Sequence, residues 1–182
     1  MLDRVPIVKS VVVGLGAWVA SFVVMAILVA GTEDGDDLVG FTGNIIYSSH
    51  FVESNVDAST PMGSSSETQQ LLSEGFTELS EYVYYAVPIV VLLVAGIALA
   101  RAIDATDLET AAIAGAASAV GYAVLTIAGT FIFEFEQPIT MGGQQVGTAT
   151  ATPTMGAMTI VVMGLLYPIV FGAIGGAIGS RL

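Results

Sequence analysis

The amino-acid sequence predicts an all-α integral membrane protein, a four-helix transmembrane bundle with a small acidic extracytoplasmic region. Three observations lead there. The chain of 182 residues is 54% hydrophobic and only 11% charged, with a mean hydropathy of +0.83, which takes it outside the range of ordinary soluble domains. It holds four charge-free stretches of about 20 residues, each long enough to cross about 30 Å of hydrocarbon at 1.5 Å per residue. Its 4 basic and 16 acidic residues, a net charge of −12, fall in different segments.

The spans run roughly from Ser10 to Gly31, Tyr82 to Ala100, Thr110 to Phe133 and Met155 to Ser180. The first has Arg4 and Lys9 ahead of it and could be read as a signal peptide. Its apolar run is longer than the usual 7 to 15 residues, so an uncleaved span is preferred. With a cytoplasmic amino terminus and four crossings, Arg4, Lys9, Arg101 and Arg181 all lie inside, as the positive-inside rule requires, and both termini are cytoplasmic in a plasma membrane. The outer segments then hold 12 of the 16 acids, and Asp3, Asp104, Asp107 and Glu109 balance the bases inside. The chain divides into residues 1–31 (first span), 32–81 (acidic outer loop), 82–133 (hairpin of spans two and three), 134–154 (second outer loop) and 155–182 (fourth span).

Several shorter features follow from local chemistry. Tyr82, Tyr84 and Tyr85, with Phe131, Phe133 and Phe135, are expected as an aromatic belt at headgroup level. Thr106 and Glu109 read as a capping box, with Asp107 also in the first turn against the positive end of span three. The outer loop opens on Glu33, Asp34, Asp36 and Asp37. Residues 41–52 read as strand or interfacial helix, and Ser66 to Gln69 as a second capping box. That box would start a helix through Leu71, Leu72, Phe76 and Leu79 into span two. In the second outer loop, Gly142 and Gly143 between short β-prone runs signal a hairpin, and Thr148 to Thr152 read as extended spacer.

An offset of 80 residues lays Pro88, Ile89, Val90, Gly96 and Arg101 on Pro168, Ile169, Val170, Gly176 and Arg181, five identities in 14 positions. Two parallel two-span repeats about the membrane normal would give this echo, as would convergence of membrane sequence. On span four, Ala157, Val161, Gly164, Pro168, Gly172, Gly175 and Gly179 share one face of an α-helical wheel, and Gly172/Gly176 and Gly175/Gly179 are GxxxG pairs that let helix backbones approach closely. Pro168 cannot donate to the Gly164 carbonyl, so a kink is expected there. Span one offers Ser10, Gly14, Ala17 and Ser21 on one face. Span three offers Ser118, Tyr122 and Thr126, which pack in the bundle or line a polar path.

The segment Asn44-Ile-Ile-Tyr-Ser-Ser-His-Phe-Val52, with its Tyr-x-x-His-Phe-Val pattern, resembles a stretch found in uncharacterised haloarchaeal multi-span membrane proteins. The acid-rich, lysine-poor balance is similar to that of extreme halophiles. The resemblance implies a haloarchaeal plasma-membrane protein and brings no activity with it.

No ionisable side chain lies in the middle of a span, which argues against proton relays, ion-coupled carriers and voltage sensors. With no cysteine and one histidine, His50, outside the spans, there is no disulfide, thiolate site or haem ligation, and no cofactor or metal is expected. His50 could join Glu53 in a metal site or serve as an interfacial structural group. Four bases give no footprint for nucleic acid. The expected partners are the lipid bilayer and other membrane protein chains or further copies of this one. The expected role is a non-catalytic structural or assembly subunit rather than an enzyme, with a small-solute channel or uncoupled permease as the alternative.

Overall fold

A computed structural model describes residues 6–30, 37–73, 77 and 79–182. Four helices are long and apolar enough to cross a membrane: Ile7–Val29, Glu81–Ala102, Leu108–Gly129 and Met158–Gly179. Only 28% to 44% of the most apolar stretch of each is buried against the rest of the chain, so most of that apolar surface faces outward, where lipid is the medium that suits it. We label the elements α1 (Ile7–Val29), α2 (Leu38–Ser48), β1 (Ser54–Thr60), β2 (Gly63–Gln69), α3 (Glu81–Ala102), α4 (Leu108–Ala117), α5 (Ala119–Gly129), β3 (Phe135–Met141), β4 (Gln144–Pro153) and α6 (Tyr167–Gly179), the last preceded by a π-wound segment, Met158–Leu166.

The expected all-α class is wrong, because the two longer inter-span segments build a four-stranded antiparallel sheet of order β2-β1-β4-β3. Each segment supplies one hairpin, and β1 pairs with β4 to join them, from Ser54 opposite Pro153 to Ser59 opposite Thr148. The strands escaped the hydropathy pattern because their buried positions are filled by Ser54, Ala151 and Pro153 beside the larger Phe135, which leaves little apolar alternation to read. Thr148 to Thr152 are therefore not spacer but part of a central strand, and Ser66 to Gln69 cap no helix, being paired with Ser54 to Asp57 in β1. Gly142 and Gly143 both hold positive φ, 60° and 78°, at the β3–β4 turn, where a Cβ would be strained. Of the helix expected from Leu71 to Leu79, Leu71 and Leu72 lie in a turn, and residues 74–76 and 78 lie outside the described residues, as does 33–36 of the acidic run.

The sheet also bears on the repeat. Each half is span, hairpin, span, but a two-fold relating the halves would exchange β1 with β3 and β2 with β4. It would then put β1 beside β3, or β2 beside β4, at the junction. The observed junction is β1 with β4, so the sheet breaks that symmetry.

Three other expectations shift. Asp107, not Thr106, is the N-cap of α4, its carboxylate accepting from the Thr110 amide at 2.7 Å. The aromatic belt is only partial: Tyr82 and Phe131 are 75% and 78% exposed, but Tyr84, Phe133 and Phe135 are buried. Phe133 stacks with Trp18 and Phe22 at 5.9 and 5.3 Å, and Phe135 meets Phe41 at 5.1 Å. Ahead of Pro168 the chain is π-wound over Met158–Leu166 rather than simply kinked. The wider turn rotates Thr159 and Met163 onto the buried face and leaves Ala157 and Val161 exposed, although the α-helical wheel had placed the latter pair inside.

Candidate functional site

The glycine face is spent inside the bundle, and it is divided between two neighbours. A Cβ at Gly172 or Gly176 would strike the backbone of α4 at Gly115 or Ala111; at Gly175 or Gly179 it would strike α3 at Leu93 or Ile97. Gly96 on α3 faces the same stretch of α6, meeting the Gly172 and Gly176 backbone. Gly164 sits more loosely, 3.5 Å from Ala123, and Pro168 is buried at the start of α6. Gly175 and Gly179 thus face α3, Gly172 and Gly176 face α4 while also receiving Gly96 of α3, and dispersion between closely approached backbones holds α3, α4 and α6 together.

The polar residues of span three do not form a continuous strip. Ser118 turns its hydroxyl back to the Gly115 carbonyl at 2.7 Å, at the break between α4 and α5. Tyr122 and Thr126, one turn apart, instead meet α2 and the turn that follows it. His50 Nε2 lies 3.0 Å from the Tyr122 hydroxyl, and the Tyr47 hydroxyl donates to the Thr126 carbonyl. Tyr47 and His50 are three residues apart, so they leave the end of α2 on one side and form two rungs to α5.

The protonation of the His50 rung follows from its partners. Nδ1 lies 2.8 Å from the Ile46 carbonyl, which can only accept, so Nδ1 carries the hydrogen and Nε2 accepts from Tyr122. Complete burial pushes the His50 pKa down to about 4, against the smaller opposing pull of the Ile46 carbonyl. The ring is neutral near pH 7, with both nitrogens engaged, and the Tyr167 ring lies 4.7 Å from it. Among the described residues no three His, Cys, Asp or Glu side chains gather as a metal site.

The helix that carries Tyr47 and leads into the His50 turn is buried on every side from Gly40 through Ser48. Its other face is tied to the sheet. Asn44 accepts from the Ser54 hydroxyl at 2.8 Å and donates to the Ala151 carbonyl at 3.3 Å; the Ser48 hydroxyl bonds Gln70 and accepts from the Leu72 amide at 3.0 Å. Asp37 caps the start, accepting from the Gly40 amide at 2.8 Å, and glycine is required at position 40 because the Glu134 carbonyl approaches there. Phe51, at φ 62°, turns the chain from α2 towards β1 in a conformation uncommon for a bulky residue, and its ring stacks on Tyr85 at 4.9 Å.

Around the ladder, Thr126 Oγ1 and Trp18 Nε1 are buried without a hydrogen-bond partner, and the buried Ser21 hydroxyl lies beside Tyr122. Trp18 and Ser21 are a turn apart on α1, so α1, α2 and α5 each bring polar groups to one buried region of an otherwise apolar bundle. Sequence reasoning found Tyr122 and Thr126 but not their partners. The legible signal was the spacing of Asn44, Tyr47 and Ser48, polar groups at helical intervals in an apolar run.

Among curated proteins and among solved structures, nothing matches this chain. A family model does match, over residues 2–182, and its description is of a family of unknown function (DUF7978).

Proposed function

The chain belongs to the DUF7978 family of unknown function, and we propose from its own geometry that it is a non-catalytic structural or assembly subunit of a membrane complex. The observation that carries this is α2, buried from Gly40 through Ser48, bonded through Tyr47 to α5 on one side and through Asn44 to the sheet on the other. A helix held on both faces couples sheet and bundle as one rigid body, which is what a docking platform needs and a gate does not. The glycine face is already used within the chain, and the exposed part of the sheet offers a polar surface to other proteins.

In this reading the sheet is extracytoplasmic and both termini are on the cytoplasmic side of the plasma membrane of a haloarchaeon. Lys9 and Arg101 mark one end of the bundle, where the Lys9 ammonium donates to the Ala102 carbonyl at 3.2 Å and complements the negative end of α3. At molar salt the Debye length is about 3 Å, so the crowded carboxylates of the other end repel one another little.

A small-solute channel or uncoupled permease is the second reading, favoured by the buried hydroxyls of Ser21, Tyr122 and Thr126 gathered between α1 and α5. Reconstitution of the pure protein in liposomes separates the two. The subunit reading expects no selective solute or ion flux and co-purification with a partner in mild detergent at high salt. Selective flux that disappears in Ser118→Ala or Tyr122→Phe would overturn it in favour of the channel.

A further inference from the structure

The two edges of the sheet are not alike. β3 carries Pro138, which has no amide hydrogen, and its pairing with β4 slips between Ile139 and Thr140, so this edge is protected against strand addition. β2, Gly63–Gln69, pairs with β1 in unbroken register and has no proline, lysine or bulge. It is exposed from Gly63 to Thr68, on both faces. Such a strand presents a row of main-chain donors and acceptors to any extended segment.

The surroundings select the segment's chemistry. On the outer face Ser66, Asp57, Thr150 and Glu136 lie in one cross-strand row. They help line a groove of about 490 Å³ that includes Ser59 and Ser64. Glu67 is on the opposite face of β2. No Lys or Arg occurs between Lys9 and Arg101, or between Arg101 and Arg181, so neither inter-span segment contains a cation for these carboxylates. A second copy would offer the same edge and the same carboxylates, with no base to pair them.

We propose that the β2 edge is completed by an extended segment of a partner protein carrying two consecutive basic residues, an inference that rests on the subunit reading. Adjacent residues of a strand point to opposite faces, so one base meets Glu67 directly. The other lies across the small Ser66 side chain towards Asp57, two strand spacings or about 10 Å from the added backbone. Main-chain bonds give the register and the two carboxylates give the selectivity.

The test uses the full chain in phosphatidylcholine nanodiscs and a fluorescent peptide, Val-Thr-Arg-Lys-Val-Thr, with empty nanodiscs as the blank and anisotropy as the readout. Binding is expected, weakened about tenfold by Asp57→Asn or by Glu67→Gln, and abolished by N-methylation of alternate peptide amides that leaves the charge intact. Equal binding of the methylated peptide would reduce the contact to nonspecific electrostatics and overturn strand addition. Indifference to both substitutions, or no binding at all, would overturn the partner chemistry while the flux experiment still decides the subunit reading. In native membranes, a disulfide-linked homodimer of Ser65→Cys would assign the edge to a second copy instead.

Discussion

The Nε2 atom of His50 lies 3.0 Å from the hydroxyl of Tyr122, a bond between residues 72 apart in sequence that ties the turn after α2 to α5. Both side chains are fully buried, so neither has water as an alternative partner. Tyr122→Phe and His50→Leu should each cost about 1–3 kcal/mol, the penalty for leaving a buried polar group unpaired. The double variant should cost much less than their sum. Thermal unfolding in detergent of the four members of the cycle measures this; strict additivity would show that the bond contributes no coupling.

The same histidine makes stability depend on pH. Its folded pKa of about 4 lies below the ordinary 6.5, so between those values the unfolded chain binds a proton that the folded chain does not. The contribution is therefore complete above about pH 6.5 and is lost as pH falls towards 4, by up to about 3 kcal/mol. The unfolding midpoint should drop across that window in the wild type and drop less in His50→Gln. Identical pH profiles would remove His50 as the cause.

Glycines of the bundle should divide sharply by what faces them. Gly172→Leu and Gly175→Leu force side chains into the backbones of α4 and α3, which cannot swing aside, and should cost about 1–3 kcal/mol or more. Gly16, on α1, has nothing within 4 Å of a built Cβ, and Gly16→Leu should be silent or slightly stabilising, as should Ile174→Leu. Loss of a larger assembly with the single chain intact, in the Gly172 or Gly175 variants, would mean that the face also serves another chain.

At the start of α4 the cap is a matter of one residue. Asp107→Ala should destabilise by about 1 kcal/mol and Thr106→Ala by much less, because the Thr110 amide is satisfied by Asp107. Equal effects in a thermal melt would restore the Thr106 capping box.

The orientation has its own experiment. Cysteines placed singly at Ser65 and Thr148, in a chain without native cysteine, should react with an impermeant maleimide in intact cells, and one at Ser180 only after lysis. The opposite pattern would invert the topology.

Four apolar helices were legible in the sequence because partition into lipid depends on the summed hydropathy of about 20 consecutive residues, a local quantity that needs no tertiary partner. Small residues on α6 were legible for a similar reason, since close helix approach requires them at fixed spacing, although the π-wound turn ahead of Pro168 moved the face away from Ala157 and Val161. The sheet was not legible. Its inner positions are small or hydroxylated, and β1 and β4, about 90 residues apart in the chain, are joined by main-chain hydrogen bonds that carry no side-chain signature. Only the folded chain decided that the run from Asn44 to Ser48 lies in a buried helix, with His50 buried in the turn after it, rather than in an interfacial segment. A polar group in an apolar run is costly or favourable according to the partner it finds, and Tyr122, Thr126 and Ser54 become partners only when α5 and β1 close around α2.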